Sequence, residues 1–243
     1  MRDHHIDLCG QIDFTRTEAM PLLKRQAHFA FACNGCGDCC RGREDIVLSG
    51  FDLWRIAGRL RLPPPLQIVA RGYCRASIGT VSHLPVLRLA PVKENRNNCP
   101  FLTENHCAIH DAEPLVCALY PLAQEISREG QVSYFLQPTD CGGQIIEARV
   151  EDYLARYDVP AREQTDVRWA LACMELEDTV EQLEARLSPV LVRRLQAKLW
   201  QALYFDYDFE AKFLPQLERN LQRLTGECRK LTAYQEKLEN QSK

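Results

Sequence analysis

The sequence predicts an α+β fold, in which a cysteine-rich stretch of short strands and loops is followed by a helical C-terminal region. Three observations predict it. Eight of the twelve cysteines fall into local patterns between Cys33 and Cys141. Within that stretch the apolar runs are short and broken by turn residues, as hairpins require. From about Ile145 onward the leucines recur at helical spacing. The chain thus divides into an N-terminal segment (1–27), a cysteine-cluster domain (28–145) and a helical region (146–243).

Thr17 to Phe31 can form a short helix, with Met20, Leu22, Leu23 and Phe29 apolar. Asp45-Ile46-Val47-Leu48 reads as a strand. Ser49-Gly50-Phe51-Asp52 supplies caps for a helix through about Leu60, with Leu53, Ile56 and Leu60 on one face. Pro63-Pro64-Pro65 ends it and opens a loop. Leu84 to Leu89 is strand-like. Cys99 to Leu102 and His106 to His110, joined by Thr103-Glu104-Asn105, read as a hairpin with cysteines on both arms. Pro114 suits the first turn of a short helix that carries Cys117. Leu122 to Ile126 and Val132 to Leu136, joined through Arg128-Glu129-Gly130, make a second hairpin. Ser188-Pro189 starts a helix on which Leu191, Leu195, Leu199 and Leu203 recur every four residues. The last segment sets Leu217, Leu221, Leu224, Cys228, Leu231 and Leu238 at steps of four and three, with Gln235 interrupting. Such a seam packs against another helix, either inside the chain or in a homodimer or protein partner.

Composition bounds the function. The chain has 243 residues, 46% of them hydrophobic and 26% charged, which is enough apolar material for a core that does not rely on metal alone. A net charge of −3 with no basic block argues against nucleic-acid binding. The N-terminus has no apolar signal region, and no run of about 18 apolar residues occurs, so no membrane span is expected. The expected compartment is the reducing cytoplasm. There, twelve cysteines make a poor disulfide framework and a better metal inventory.

The strongest signal is Cys33-Asn34-Gly35-Cys36-Gly37-Asp38-Cys39-Cys40. A C-x2-C spacing lets one tight loop present two sulfurs to one metal. Gly35 and Gly37 suit such a loop, since they tolerate positive φ and let backbone amides approach the sulfurs. The third cysteine at the same interval resembles the C-x2-C-x2-C run of bacterial-type ferredoxins, in which a remote Cys-Pro also ligates, as Cys99-Pro100 would here. Zinc accepts the same thiolates, so spacing alone does not choose the metal. Neighbouring side chains usually point apart, so Cys39 and Cys40 are not expected to share one mononuclear ion. Either they serve two sites, or one ligates while the other is a reactive or structural thiol. The ligand set expected is Cys33, Cys36, Cys39 and Cys40 with Cys99, Cys107, Cys117 and Cys141. On these residues the expected cofactor is an iron–sulfur cluster or zinc.

These residues resemble a known family. Cys33 to Arg41 looks like the CxxCGxCCR signature of YkgJ-like cysteine-cluster proteins, described as zinc- or iron-chelating. Cys99-Pro100-Phe101-Leu102, Cys107-Ala108-Ile109 and Pro114-Leu115-Val116-Cys117, ending at Pro121, look like that family's second block. Asp52, Arg55 and Ile56 sit where its members carry an Asp-x-x-Arg-Ile helix. One departure stands out. The family's aromatic-x-x-Arg-Pro reads His110-Asp111-Ala112-Glu113-Pro114 here, which replaces a cation by an anion. A related domain occurs in flagellin lysine N-methylases. The resemblance therefore leans toward iron–sulfur and implies S-adenosylmethionine-dependent protein lysine methylation as one rival activity. A metal-stabilised interaction module is another.

The remaining candidates are read more plainly. His106 and His110 can complete a metal site but better suit an exposed hairpin. His4 and His5 read as solvated. Asp38 can cap the ligand loop, and Arg41, Arg43 and Arg55 can offset thiolate charge. Cys9, Cys74, Cys173 and Cys228 read as buried apolar residues. No G-x-G-x-x-G after a strand, no phosphate-binding loop and no G-x-S-x-G occurs. The radical S-adenosylmethionine spacing C-x3-C-x2-C is not matched either.

Overall fold

The computed structural model describes residues 6–7, 22–31, 36–93, 97–139 and 147–241. The architecture is α+β: small antiparallel sheets packed on helices, with a helical C-terminal region. Residues 1–5, Cys9, Thr17 to Met20, Cys33, Gly35, Cys141 and Ile145 lie outside the described residues.

The first sheet has the order β1-β9-β10-β2. Its centre is the hairpin of β9 (Leu122–Ile126) and β10 (Val132–Leu136), flanked by β1 (Ile6–Asp7) and β2 (Leu22–Leu23). The predicted hairpin forms, with Leu136 opposite Leu122 and Val132 opposite Ile126. Gly130 takes φ +77° in the connecting turn, a conformation glycine adopts without penalty. A second pair joins β3 (His28–Ala30) to β11 (Glu147–Arg149). These two pairings overturn the helix expected over Thr17 to Phe31: its described part is strand, turn and strand. His28-Phe29-Ala30 reads exposed, buried, exposed, and Phe29 is buried against Tyr153.

The third sheet has the order β4-β6-β5, with β4 at Val47–Leu48, β5 at Cys74–Ile78 and β6 at Pro85–Leu89. Between its strands lie α1 (Gly50–Leu60) and α2 (Leu66–Ala70). Helix α1 starts as the sequence predicts. The Ser49 hydroxyl accepts from the Asp52 amide at 3.0 Å, and an Asp52 carboxylate oxygen accepts from the Ser49 amide at 2.9 Å. Gly50 is required for packing: a Cβ there would stand 2.2 Å from the Leu203 carbonyl oxygen and 2.5 Å from the Trp169 ring. The helix ends with Arg61 in the left-handed region at φ 51°.

The last small sheet is the cysteine hairpin, β7 (Leu102–Thr103) with β8 (His106–Cys107). Cys107 is on its second arm, whereas Cys99 sits in the turn before its first. Then follow α3 (Leu115–Leu119), α4 (Val150–Arg156), the 26-residue α5 (Val159–Glu184), α6 (Pro189–Trp200) and α7 (Phe213–Gln241). The leucine series of α6 is buried at Leu191, Leu195 and Leu199. It runs into a wider π-helical turn at Gln201–Phe205, where Leu203 and Tyr204 are buried.

Helix α5 reaches all three apolar clusters among the described residues: Val159 in the cluster under β9 and β10, Trp169 in the one under α1, Val180 in the one between α6 and α7. The seam of α7 is used inside the chain. Leu217 joins the cluster under α1, and Leu224 and Cys228 join Leu191, Leu195 and Leu199. Gln235, the break in that seam, accepts a hydrogen bond from the Ser188 amide at 3.1 Å.

Candidate metal centre

The site begins at the first cysteine loop. Gly37 is buried with φ +73°, and a Cβ there would lie 3.2 Å from Leu102 and 3.3 Å from the Asn105 carbonyl. The loop therefore presses against the β7–β8 hairpin at a point where only glycine fits. Arg41 fastens the same contact. It donates to the Cys36 carbonyl at 2.6 Å, to Asp38 at 2.7 Å, and to the Asn105 side chain. Asp38 thus pairs with Arg41. The Asp38 amide lies 3.5 Å from the Cys36 sulfur, an N–H···S contact of the kind the glycine-rich loop predicts.

Asp38–Cys40 forms one 3-10 turn. This helical backbone, in place of an extended one, corrects the expectation that Cys39 and Cys40 point apart: their sulfurs are 3.9 Å apart, and both side chains line the same cavity. A tetrahedral ion with metal–sulfur bonds of about 2.3 Å has sulfur–sulfur edges of roughly 3.8 Å, so the pair stands at ligand spacing.

The second block meets the first there. The Cys99 amide donates to the Cys40 carbonyl at 2.8 Å. Cys107 on β8 and Cys117 on α3 complete the thiol wall, so Cys39, Cys40, Cys99, Cys107 and Cys117 all line one cavity of about 430 Å³. Cys36 borders the loop but is not among the cavity's lining residues. Cys33 and Cys141 lie outside the described residues. Among the described residues, no three Cys, His, Asp or Glu side chains are gathered closely enough to hold a single ion.

The thiols share one electrostatic problem. Hydrogen bonding with Cys40 holds the Cys39 thiol down to about 7 and pushes the Cys40 thiol far up. Burial raises Cys99, raises Cys117 well above its ordinary value, and lifts Cys107 to about 11. Each of these three is raised further by neighbouring thiols. Anions crowded in this way need a cation to coexist.

His106 and His110 stand exposed at the cavity rim, and His110 pairs with Glu113 at 3.3 Å. Arg43 lines the cavity while bonding Asp45 through two nitrogens at 2.6 and 2.7 Å. Arg55 instead donates to the backbone carbonyls of Asp111 and Glu113. Cys74 and Cys228 are buried in apolar clusters, and Cys173 packs against two of them. Cys39, Cys40, Cys74, Cys99, Cys107, Cys117, Cys173 and Cys228 are free thiols.

Sequence reasoning missed three parts of the site. Glu113, noticed as a departure from the family pattern, lines the cavity with its carboxyl raised by burial. Tyr120, Tyr153 and Tyr157 also line the cavity. Arg162 and Asp166 form a buried ion pair outside that lining. Glu113 left a signal in its replacement of the family's arginine, and Arg162 with Asp166 left one in the i,i+4 spacing of opposite charges on one helix.

Residues 32–142 match the family model CxxCxxCC, described as "Putative zinc- or iron-chelating domain", the cysteine-cluster family that the motifs resemble. No curated protein and no solved structure matches the chain. No helix among the described residues is long and apolar enough to cross a membrane.

Proposed function

We propose that the cysteine-cluster segment is a metal-binding domain. Cys36, Cys39 and Cys40 act with Cys99, Cys107 and Cys117, joined by Cys33 and Cys141, to hold an iron–sulfur cluster, with zinc as the alternative metal. The observation that carries this reading is the convergence of thiols from both motif blocks on one cavity.

The donor set fits either group. Thiolates are soft ligands that both zinc and iron–sulfur clusters accept. The C-x2-C-x2-C run, like that of bacterial-type ferredoxins, and the resemblance to the cysteine-cluster domain of flagellin lysine N-methylases favour the cluster. When bound, such a group supplies electron transfer or a structural cross-link between the two blocks. The chain's own residues do the rest. The Asp38 amide approaches the Cys36 sulfur, Arg41 holds the loop against Asn105, and Arg43 places a cation beside the thiol wall.

Anaerobic purification followed by iron, zinc and acid-labile sulfide analysis tests the proposal, together with an absorption spectrum. Iron and sulfide in equal amounts with a broad band at about 400 nm is the expected result. Zinc without sulfide shifts the assignment to the alternative. Protein that binds neither overturns it.

A further inference from the structure

We infer that Asp52 and Arg55 of α1, together with Arg162 of α5, are positioning residues that set where Cys117 stands in the cavity. This deepens the metal-binding reading and rests on it.

Cys117 is carried by α3, which has five residues and cannot hold its own conformation. Before it, His110–Ala112 makes a single 3-10 turn and Glu113 belongs to no helix or strand, so some backbone groups there need partners from elsewhere. Side chains of α1 and α5 supply them. Asp52 and Arg55 are one helical turn apart and face the same way. One carboxylate oxygen of Asp52 caps α1 itself. The other accepts from the Leu115 amide at 3.0 Å, two residues before Cys117. Arg55 donates to the Asp111 carbonyl at 3.0 Å and to the Glu113 carbonyl at 3.3 Å. Arg162 donates to the same Glu113 carbonyl at 3.5 Å and to Asp52 at 2.6 Å. Asp166 holds Arg162 from below through two bonds, at 2.6 and 2.9 Å.

The side chains of Asp52, Arg162 and Asp166 are 4%, 5% and 1% exposed. Buried ion networks of this kind are poor sources of stability, since well-packed apolar residues often do as well. What apolar residues cannot do is bond backbone groups in fixed directions. Here those groups are the Leu115 amide and the Glu113 carbonyl, which bracket Pro114 directly ahead of the cysteine.

Asn220 provides the control, because it is buried on α7 and donates to the Asp206 carbonyl at 2.9 Å, apart from the network that bonds the segment carrying Cys117. The experiment compares wild type, Asp52→Asn, Asn220→Ala and Arg55→Gln. One readout is the alkylation rate of Cys117 relative to Cys39 in reduced, metal-free protein, mapped by peptide mass spectrometry. The other is the half-time of metal loss to a chelator from protein purified with its metal. Asp52→Asn is expected to change the Cys117-to-Cys39 ratio and to speed metal loss, each by about tenfold. That is the factor corresponding to about 1.4 kcal/mol, the scale of one hydrogen bond to a charged group. Asn220→Ala should leave both readouts near wild type although it also removes a buried hydrogen bond. Arg55→Gln, at a half-buried position, should shift both in the direction of Asp52→Asn, and it carries the test if Asp52→Asn does not fold. Equal effects of Asp52→Asn and Asn220→Ala, or no effect of Asp52→Asn and Arg55→Gln, overturn the inference. If wild type holds no metal, the metal-binding reading fails by that result, and the alkylation ratios alone decide the positioning role.

Discussion

The backbone amide of Cys99 donates to the carbonyl of Cys40 across 2.8 Å, so the two cysteine blocks are joined by main chain as well as by the cavity their thiols line. A side-chain substitution leaves that bond in place. Single cysteine-to-serine changes should therefore alter metal content more than fold.

Cys39→Ser, Cys99→Ser and Cys117→Ser are each expected to lose most of their metal by elemental analysis. Cys228→Ala, in the cluster between α6 and α7, should retain wild-type stoichiometry. Retention of full metal by all three serine variants would remove the cavity thiols from the ligand set.

Gly50→Ala should destabilise the protein by about 1–3 kcal/mol, the range for overpacking a filled site. The added methyl meets a backbone carbonyl and the Trp169 ring, neither of which is a flexible side-chain end. Urea unfolding midpoints measure the loss, and an unchanged midpoint would contradict the packing described.

Ser49→Ala removes the hydroxyl that caps the Asp52 amide, which should cost about 1 kcal/mol. Chemical denaturation again reads it.

Burial pushes the Asp166 carboxyl up to about 6, against the pull of Arg162. A raised carboxyl binds its proton more tightly in the folded state than in the unfolded one. Its contribution to stability is therefore full below about pH 4 and is lost as the pH rises through 6, with a slope of up to about 1.4 kcal/mol per pH unit. Comparing the stability of Asp166→Asn with wild type between pH 4 and 7 isolates this contribution. A difference that does not vary with pH would refute it.

Removing the metal with a chelator should lower the melting temperature by mass action while leaving most helical circular dichroism in place at low temperature. The helical region has its own apolar cluster, with Leu191, Leu195, Leu199 and Leu224 buried in it. Loss of the helical signal on chelation would show that the metal organises the whole chain.

Local patterns were legible and long-range pairings were not. The hairpin around Gly130, the caps of α1 and the buried series Leu191, Leu195 and Leu199 all declare themselves within a dozen residues, because alternation, capping and helical period are local. His28 to Ala30 was misread as helix because its partner, Glu147–Arg149, lies at the far side of the cysteine stretch. Strand β5 was missed because four of its five residues are exposed, so no apolar run marks it. The cysteine blocks were legible as motifs, and their shared cavity agrees with that reading. The common direction of Cys39 and Cys40 depends on a 3-10 turn that spacing does not encode. The Asp52–Arg162 bond joins residues 110 apart, beyond the reach of any pattern read along the chain.

The pairing of Ala30 with Glu147 has one more consequence. The chain departs for the cysteine blocks and returns from them at neighbouring points, so everything between is a closed excursion. A protease that nicks the tip of the cysteine hairpin, where Glu104 and Asn105 both take positive φ, cuts the excursion without freeing either half. The two fragments remain stitched by β3 with β11, by β1 with β9 and β2 with β10, and by the core that α1 shares with α5 and α7. Such a nicked protein should travel as one species in a native gel and separate only in denaturant.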